Sequence, residues 1–155
     1  MAKLECSICL AMRCEMVNRD FSILVADANE PFRRSLSDTL APEGYEVEDA
    51  TSGREAIDII KRKPIHVVVM DVQLPDISGL TTYHAIKEIR QAFLPCIFTA
   101  IEISTGAFQE ALDEDAVTIL PKPVDSNRLI RAIGWSIERY YRGNPRPLRL
   151  DRRRF

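Results

Sequence analysis

Four polar side chains close or follow apolar runs in this 155-residue chain: Asp27 after Ser22–Ala26, Asp71 after Ile65–Met70, Thr99 within Cys96–Ala100, and Lys122 after Val117–Leu120. A charge at the end of an apolar strand must be solvated or paired, so packing alone gives no reason for the pattern. Two acids, a hydroxyl and an amine have the chemistry to handle a phosphoryl group. One carboxylate attacks phosphorus and the other holds a hard divalent cation, while the amine and hydroxyl take up phosphate oxygens. The cation matters because two anions must otherwise approach each other.

The chemistry requires elements that bring these residues together. Apolar strand-like runs and amphipathic segments alternate five times. Ser22–Ala26 reads as the first strand and Glu30–Leu40 as a helix, with Phe32, Leu36 and Leu40 at helical spacing and Pro31 in its first turn. Tyr45–Asp49 alternates, as a half-exposed strand does, and Ser52 caps a helix carrying Ala56, Ile59 and Ile60. Ile65–Met70 is the most continuously apolar run, which predicts a central strand buried on both faces. The loop Asp71–Gly79 leads into a helix with Ile86, Ile89 and Phe93 on one face. Cys96–Ala100 reads as strand four, Ser104–Leu112 as a short helix with Phe108, Ala111 and Leu112 inward, and Val117–Leu120 as strand five. Asp125 can cap a last helix bearing Leu129, Ile133 and Ile137. Five β-α repeats in about 120 residues predict an α/β fold with a doubly wound, five-stranded parallel sheet. The alternating second strand belongs at an edge and the first and third are central, which agrees with the order 2-1-3-4-5 and its ligand site beyond the carboxyl ends of strands one and three.

Residues 21–141 read as one domain, 1–20 as an N-terminal extension and 142–155 as a basic tail that Gly143, Pro145 and Pro147 predict to be extended or disordered. Met16 offers an alternative start, which would make the extension an artefact of gene calling. Apolar residues make up 46% and charged residues 28%, a composition suited to a soluble globular domain. There is no run of 18 apolar residues and no convincing secretory signal, so no membrane span is expected. From Arg139 to Phe155 seven Arg face one Asp, a net of +6; the total of −2 therefore leaves −8 on residues 1–138. An acidic body argues against nucleic-acid binding by the folded domain. Cys6, Cys9 and Cys14 resemble a metal-site fragment but lack a nearby fourth ligand, so they and Cys96 read as reduced cysteines of a cytoplasmic protein.

In order along the chain, Ile-Leu-Val-Ala-Asp at 23–27, Met-Asp-Val-Gln-Leu-Pro-Asp-Ile-Ser-Gly at 70–79, Thr99-Ala100 and Pro-Lys-Pro at 121–123 resemble the response-regulator receiver domains of two-component signalling. The resemblance runs from about Ser22 to Tyr141 and implies a flavodoxin-like receiver fold. It implies that Asp71 accepts phosphate from a histidine kinase or phosphotransfer protein. It further implies that Asp27, Asp71 and the backbone carbonyl of Gln73 serve Mg²⁺, that Thr99 follows the phosphate as a switch residue, and that Lys122 pairs with it. The Lys122–Pro123 bond is cis in many relatives. Such domains are not independent enzymes, although they catalyse their own phosphorylation and dephosphorylation. With no second domain expected after Tyr141, output would pass through a partner protein.

Two departures stand out. The family usually has a second acid after strand one, commonly the direct metal ligand, and this chain has Ala28; metal affinity should fall. Glu30 is near in sequence but is expected to open the first helix and point elsewhere. Three residues before Lys122, where many relatives carry an aromatic switch residue, stands Ile119.

Other readings compete with these. Asp71 as a loop cap, Lys122 as a solvated lysine and Thr99 as an ordinary β-former are the plain ones. His66 reads as a surface or core histidine, His84 as exposed, and Trp135 and Tyr140 as either core or partner patch. Ala28 motivates the alternative of a phosphorylation-independent, receiver-like interaction module. A phosphohydrolase with an aspartate nucleophile would want an acid at position 73, where Gln73 stands, and no P-loop is present.

Overall fold

The computed structural model describes residues 21–90, 93–102, 106, 109 and 116–142. The first strand, β1, spans Ser22–Ala26 and is followed by helix α1, Glu30–Leu40. A 3-10 turn at Ala41–Glu43 leads to β2, Glu46–Ala50, and α2, Gly53–Arg62. Next come β3, Val67–Asp71, and α3, Gly79–Ile89. The remaining elements are β4, Cys96–Ala100, β5, Thr118–Pro121, and α4, Ser126–Tyr140. All ladders are parallel and the sheet order is 2-1-3-4-5.

Alternation along the central strands divides the core in two. Leu24, Val68, Met70 and Phe98 face α2 and α3, packing with Ile59, Ile60, Tyr83 and Ile86. Ile23, Val25, Val69 and Ile97 face the other side, with Leu36 and Leu40 of α1 and Leu129, Ile133 and Ile137 of α4. Burying each such aliphatic side chain stabilises the fold by about 1.5–3 kcal/mol before conformational entropy is counted. The edge strand β2 keeps Glu46 and Asp49 exposed and Val47 and Glu48 half-buried, and only Ala50 is fully buried, as suits a strand paired on one side alone.

Helix starts follow their caps. The Asn29 side chain accepts the Phe32 N–H at 2.9 Å, Ser52 accepts that of Glu55 at 3.1 Å, and Asp125 those of Asn127 and Arg128 at 2.8 and 3.1 Å. Each satisfies backbone donors that a first helical turn leaves open.

Several boundaries differ from the sequence expectation, and the ladders give the reason. β1 begins at Ser22, paired with Glu46, so Tyr45 is buried ahead of the β2 ladder and Ala50 completes it opposite Ala26. Ile23 pairs with Val67, which leaves Ile65 buried before β3 begins. Thr118 opposite Ile97 likewise opens β5, and Pro121 closes it. The inward face of α3 is also corrected. Tyr83, Thr82 and Ile86 are buried, whereas Ile89 and Phe93 are 41% and 39% exposed. Arg90 leaves the helical conformation and its guanidinium donates to the Ile65 carbonyl at 2.8 Å, so Phe93 falls beyond the helix. The expected helix at Ser104–Leu112, apart from Gly106 and Gln109, lies outside the described residues, as do Cys6, Cys9, Cys14, Met16 and the tail beyond Arg142.

No helix among the described residues is long and apolar enough to cross a membrane. His66 accepts the Ser22 N–H on Nδ1 at 3.0 Å and lies edge-on to Phe21 and Tyr141. His84 is exposed beside Glu88. Tyr140 is 40% exposed, and its ring lies tilted against Phe93, centroids 4.5 Å apart, and meets Trp135 edge-on.

Candidate functional site

Parallel strands β1, β3 and β5 deliver Asp27, Asp71 and Lys122 to one edge of the sheet. There the Lys122 ammonium bridges the two carboxylates, 2.6 Å from Asp27 Oδ2 and 2.7 Å from Asp71 Oδ2. These residues are 27, 71 and 122 positions into the chain, so only the fold brings them together. The Asp27 side chain is 2% exposed, and those of Asp71 and Lys122 are 14% and 16% exposed. At such burial, charge interactions are screened far less than at the surface.

Each carboxylate is also held by its own loop. Asp27 Oδ1 accepts the Asn29 N–H at 2.8 Å, and Asp71 Oδ1 accepts the Gln73 N–H at 2.9 Å. Lys122 follows β5, its N–H bonded to the Ala100 carbonyl at 2.8 Å, and the Lys122–Pro123 peptide is cis. Thr99 stands opposite Asp71 in the β3–β4 register. Its hydroxyl is buried and has no hydrogen-bond partner among the described residues.

One ammonium between two carboxylates leaves the trio with one negative charge in excess. Burial raises the Asp71 pKa, opposed by the hydrogen bonds from Lys122 and the Gln73 N–H and reinforced by the neighbouring charge of Asp27. Burial pulls Lys122 down, but the hydrogen bonds and charges of both aspartates together outweigh it, and its pKa rises. The two directions are compatible because the ammonium is compensated twice while each carboxylate has only a share of it.

Three neighbours that sequence reasoning did not single out shape the site. Arg33, 8% exposed, donates from Nη1 to the Asp27 carbonyl at 2.7 Å and from Nε to Asp49 at 3.0 Å. An arginine on α1 reads as a solvated charge; its spacing of three and seven residues ahead of the buried Leu36 and Leu40 was the available signal. Gly79 passes so close to the loop that a Cβ there would lie 2.2 Å from the Asp71 carbonyl oxygen. Asp76 receives the Gly53 and Arg54 N–H groups at 2.9 and 3.0 Å, tying the Asp71–Gly79 loop to the start of α2. Those backbone bonds, led by the one from Arg54, lower its pKa to about 2.

The donor set suits a hard divalent cation with one carboxylate fewer than the family pattern. Asp27 and Asp71 stand at the same end of the sheet, bridged by Lys122 Nζ, and together they carry the excess negative charge. Ala28 is exposed and offers no side-chain oxygen. Glu30 opens α1, and its carboxylate pairs with Arg34 at 3.0 Å on the exposed side of the helix. Among the described residues no group of three His, Cys, Asp or Glu side chains gathers. Mg²⁺ is commonly held by one or two carboxylates with phosphate and water oxygens completing its shell, so two remain sufficient in kind. Ile119, at the aromatic switch position, is buried in the core beneath α2 and α3.

Comparison with known proteins agrees with this geometry. Residues 23–134 match the response regulator receiver domain. Response regulator RR06 of Streptococcus pneumoniae is 32% identical over 121 residues, which cover 77% of this chain and 54% of that protein. The chain spans about half the length, or less, of the curated relatives it matches. Among solved structures, a CheY-like receiver domain from Methanospirillum hungatei superposes with a TM-score of 0.74 at 24% identity, covering 79% of this chain and 98% of that one. A Borrelia burgdorferi complex of CheX, CheY, BeF3 and Mg²⁺ contains a chain with a TM-score of 0.68 at 23% identity, covering 73% and 86%. The sheet order, the site at its carboxyl edge and these matches agree: the chain belongs to the response-regulator receiver family.

Proposed function

We propose that this protein is a cytoplasmic phosphorelay receiver that accepts a phosphoryl group on Asp71, from a histidine kinase or phosphotransfer protein, and signals through a downstream output protein. The observation that carries the reading is the Lys122 ammonium held between Asp27 and Asp71 at 2.6 and 2.7 Å. In the transfer an Asp71 carboxylate oxygen forms a bond to phosphorus. The bond from phosphorus to the donor's nitrogen, or to the acetate oxygen of acetyl phosphate, breaks, and the leaving group keeps its electron pair. Lys122 can take a phosphoryl oxygen, and the Thr99 hydroxyl, without a partner among the described residues, is available to a second. Asp27, Asp71 and the Gln73 carbonyl would hold Mg²⁺, which when bound offsets repulsion between the carboxylate and the incoming phosphoryl oxygens. Without an acid at Ala28 the metal is held more weakly than in relatives with two acids after β1.

Intact mass after incubation with acetyl phosphate and Mg²⁺ tests this directly. A single phosphate adduct, absent in Asp71→Asn, is the expected result, with half-saturating Mg²⁺ moved down in Ala28→Asp. No adduct, with acetyl phosphate or with a phosphorylated kinase or phosphotransfer protein as donor, would instead leave a receiver-like module that binds its partners without phosphorylation.

A further inference from the structure

Phe32 follows the helical spacing of Leu36 and Leu40, which reads as plain core. In the fold it does more than pack. It lies half-buried in the first turn of α1, against the core beneath α1 and α4, and the Lys122 ammonium stands 4.4 Å from its ring centroid. That is well inside the range at which a ring's negative face attracts a cation. A lysine ammonium has three N–H donors, and two are spent on Asp27 Oδ2 and Asp71 Oδ2. The ring takes the side that the carboxylates leave.

The ring is itself held to the site. The Asn29 N–H donates to Asp27 Oδ1, and the Asn29 side chain accepts the Phe32 N–H. Asp27, Asn29, Phe32 and Lys122 therefore form a closed circuit, in which the turn that orients the carboxylate also orients the ring beneath the ammonium. A lysine side chain has four rotatable carbons and is a flexible point charge unless something fixes it. Here a carboxylate on either side and an aromatic face together do so.

We propose that Phe32 is a positioning residue for Lys122, its ring face holding the ammonium between Asp27 and Asp71 where a phosphoryl oxygen is to be met. The consequence for phosphoryl transfer rests on the function proposed above, whereas the positioning itself does not. A merely structural Phe32 would be replaced well by Leu, which keeps apolar bulk without a π face. A positioning ring is replaced by Tyr and not by Leu.

The test compares Phe32→Leu and Phe32→Tyr with the wild-type chain, with urea denaturation confirming that each folds. Proteins carrying ¹³Cε-labelled lysine report the ring current on the Lys122 ε-methylene, with Lys122→Arg identifying its signal. An upfield-shifted resonance in wild type and Phe32→Tyr, returning to the ordinary lysine position in Phe32→Leu, is expected. An unshifted signal in the wild type, or an unchanged one in Phe32→Leu, overturns the proposal. In acetyl phosphate labelling the maximal rate should fall about three- to tenfold in Phe32→Leu with KM little changed, and recover in Phe32→Tyr. Equal maximal rates in a wild type and Phe32→Leu that both take phosphate would also overturn it. A wild-type chain that takes no phosphate refutes the proposed function, and the resonance then decides the role of Phe32 alone.

Discussion

Gly79→Ala should destabilise this protein, although the same change at Gly134 should stabilise it. A Cβ at Gly79 would lie 2.2 Å from the Asp71 carbonyl oxygen and 3.0 Å from both the Asp71 carbonyl carbon and Val72 Cα. All three are backbone atoms, which cannot swing aside as a side chain does. Relief requires the loop to move off α3, straining the 2.8 Å hydrogen bond from the Gly79 N–H to the Val72 carbonyl. Overpacking costs about 1–3 kcal/mol and the weakened bond about 1 kcal/mol. The helix-forming gain of Ala over Gly returns at most about 1 kcal/mol, so the net loss is about 2 kcal/mol. At Gly134, inside α4, a Cβ meets nothing within 4 Å among the described residues, and the gain of about 0.5–1 kcal/mol stands alone. Urea denaturation read as the midpoint at constant slope measures both. Because two of the three displaced atoms belong to Asp71, acetyl phosphate labelling should fall in Gly79→Ala and stay at the wild-type level in Gly134→Ala. A Gly79→Ala protein as stable as wild type would refute the reasoning, since the clash would then have been absorbed without cost.

Arg33→Met keeps the buried stem but removes the donors to the Asp27 carbonyl and Asp49; with Asp49 59% exposed, the loss should be about 2 kcal/mol by urea denaturation, mostly from the carbonyl. Thr99→Val removes a buried hydroxyl that has no partner among the described residues, so it should raise stability by about 1 kcal/mol; a loss of stability would show that the hydroxyl is bonded. Asp71→Asn should stabilise the fold in a pH-dependent manner. The folded pKa of Asp71 is raised by burial, so the native state binds this proton more tightly than the unfolded chain. The wild type's stability contribution from Asp71 is therefore full below the unfolded pKa of about 3.9 and lost as pH rises through the folded value. The advantage of Asp71→Asn should grow with pH across that window, and an advantage that shrinks with rising pH would contradict the assignment.

The parts of the fold that were legible in the sequence are those set by short-range pattern. β1 and β4 follow from continuous apolar runs, β2 as an edge from its alternation, and the starts of α2 and α4 from the capping side chains of Ser52 and Asp125. What escaped is set by pairing between distant segments. Whether Tyr45 or Ala50 belongs to β2 is decided by where β1 begins, and α3 ends early because Arg90 finds the Ile65 carbonyl, 25 residues back. The site divides in the same way. Asp27, Asp71 and Lys122 are visible because a charge after an apolar strand is anomalous. Arg33 and Phe32 are not, because an arginine and a phenylalanine on an amphipathic helix look ordinary until the helix is docked.

The charge balance of the site sets what an acid at position 28 would do. The acid missing there would have added negative charge to a pocket whose two carboxylates already outweigh one ammonium. With Ala28 the remaining charges are met from several directions: Asp27 by the Asn29 N–H and Lys122, Asp71 by the Gln73 N–H and Lys122, and Lys122 by both carboxylates and the Phe32 ring. Restoring the acid with Ala28→Asp should therefore trade one property against another. Repulsion from a third carboxylate should lower stability in the absence of metal, and added Mg²⁺ should recover it by binding the native state. Thermal denaturation with and without Mg²⁺ reads both effects in one experiment. Stability that falls on substitution and rises with Mg²⁺ more steeply than in the wild type would show that position 28 faces the metal. A variant whose Mg²⁺ response equals that of the wild type would place residue 28 outside the site and leave the two-carboxylate pocket complete as it stands.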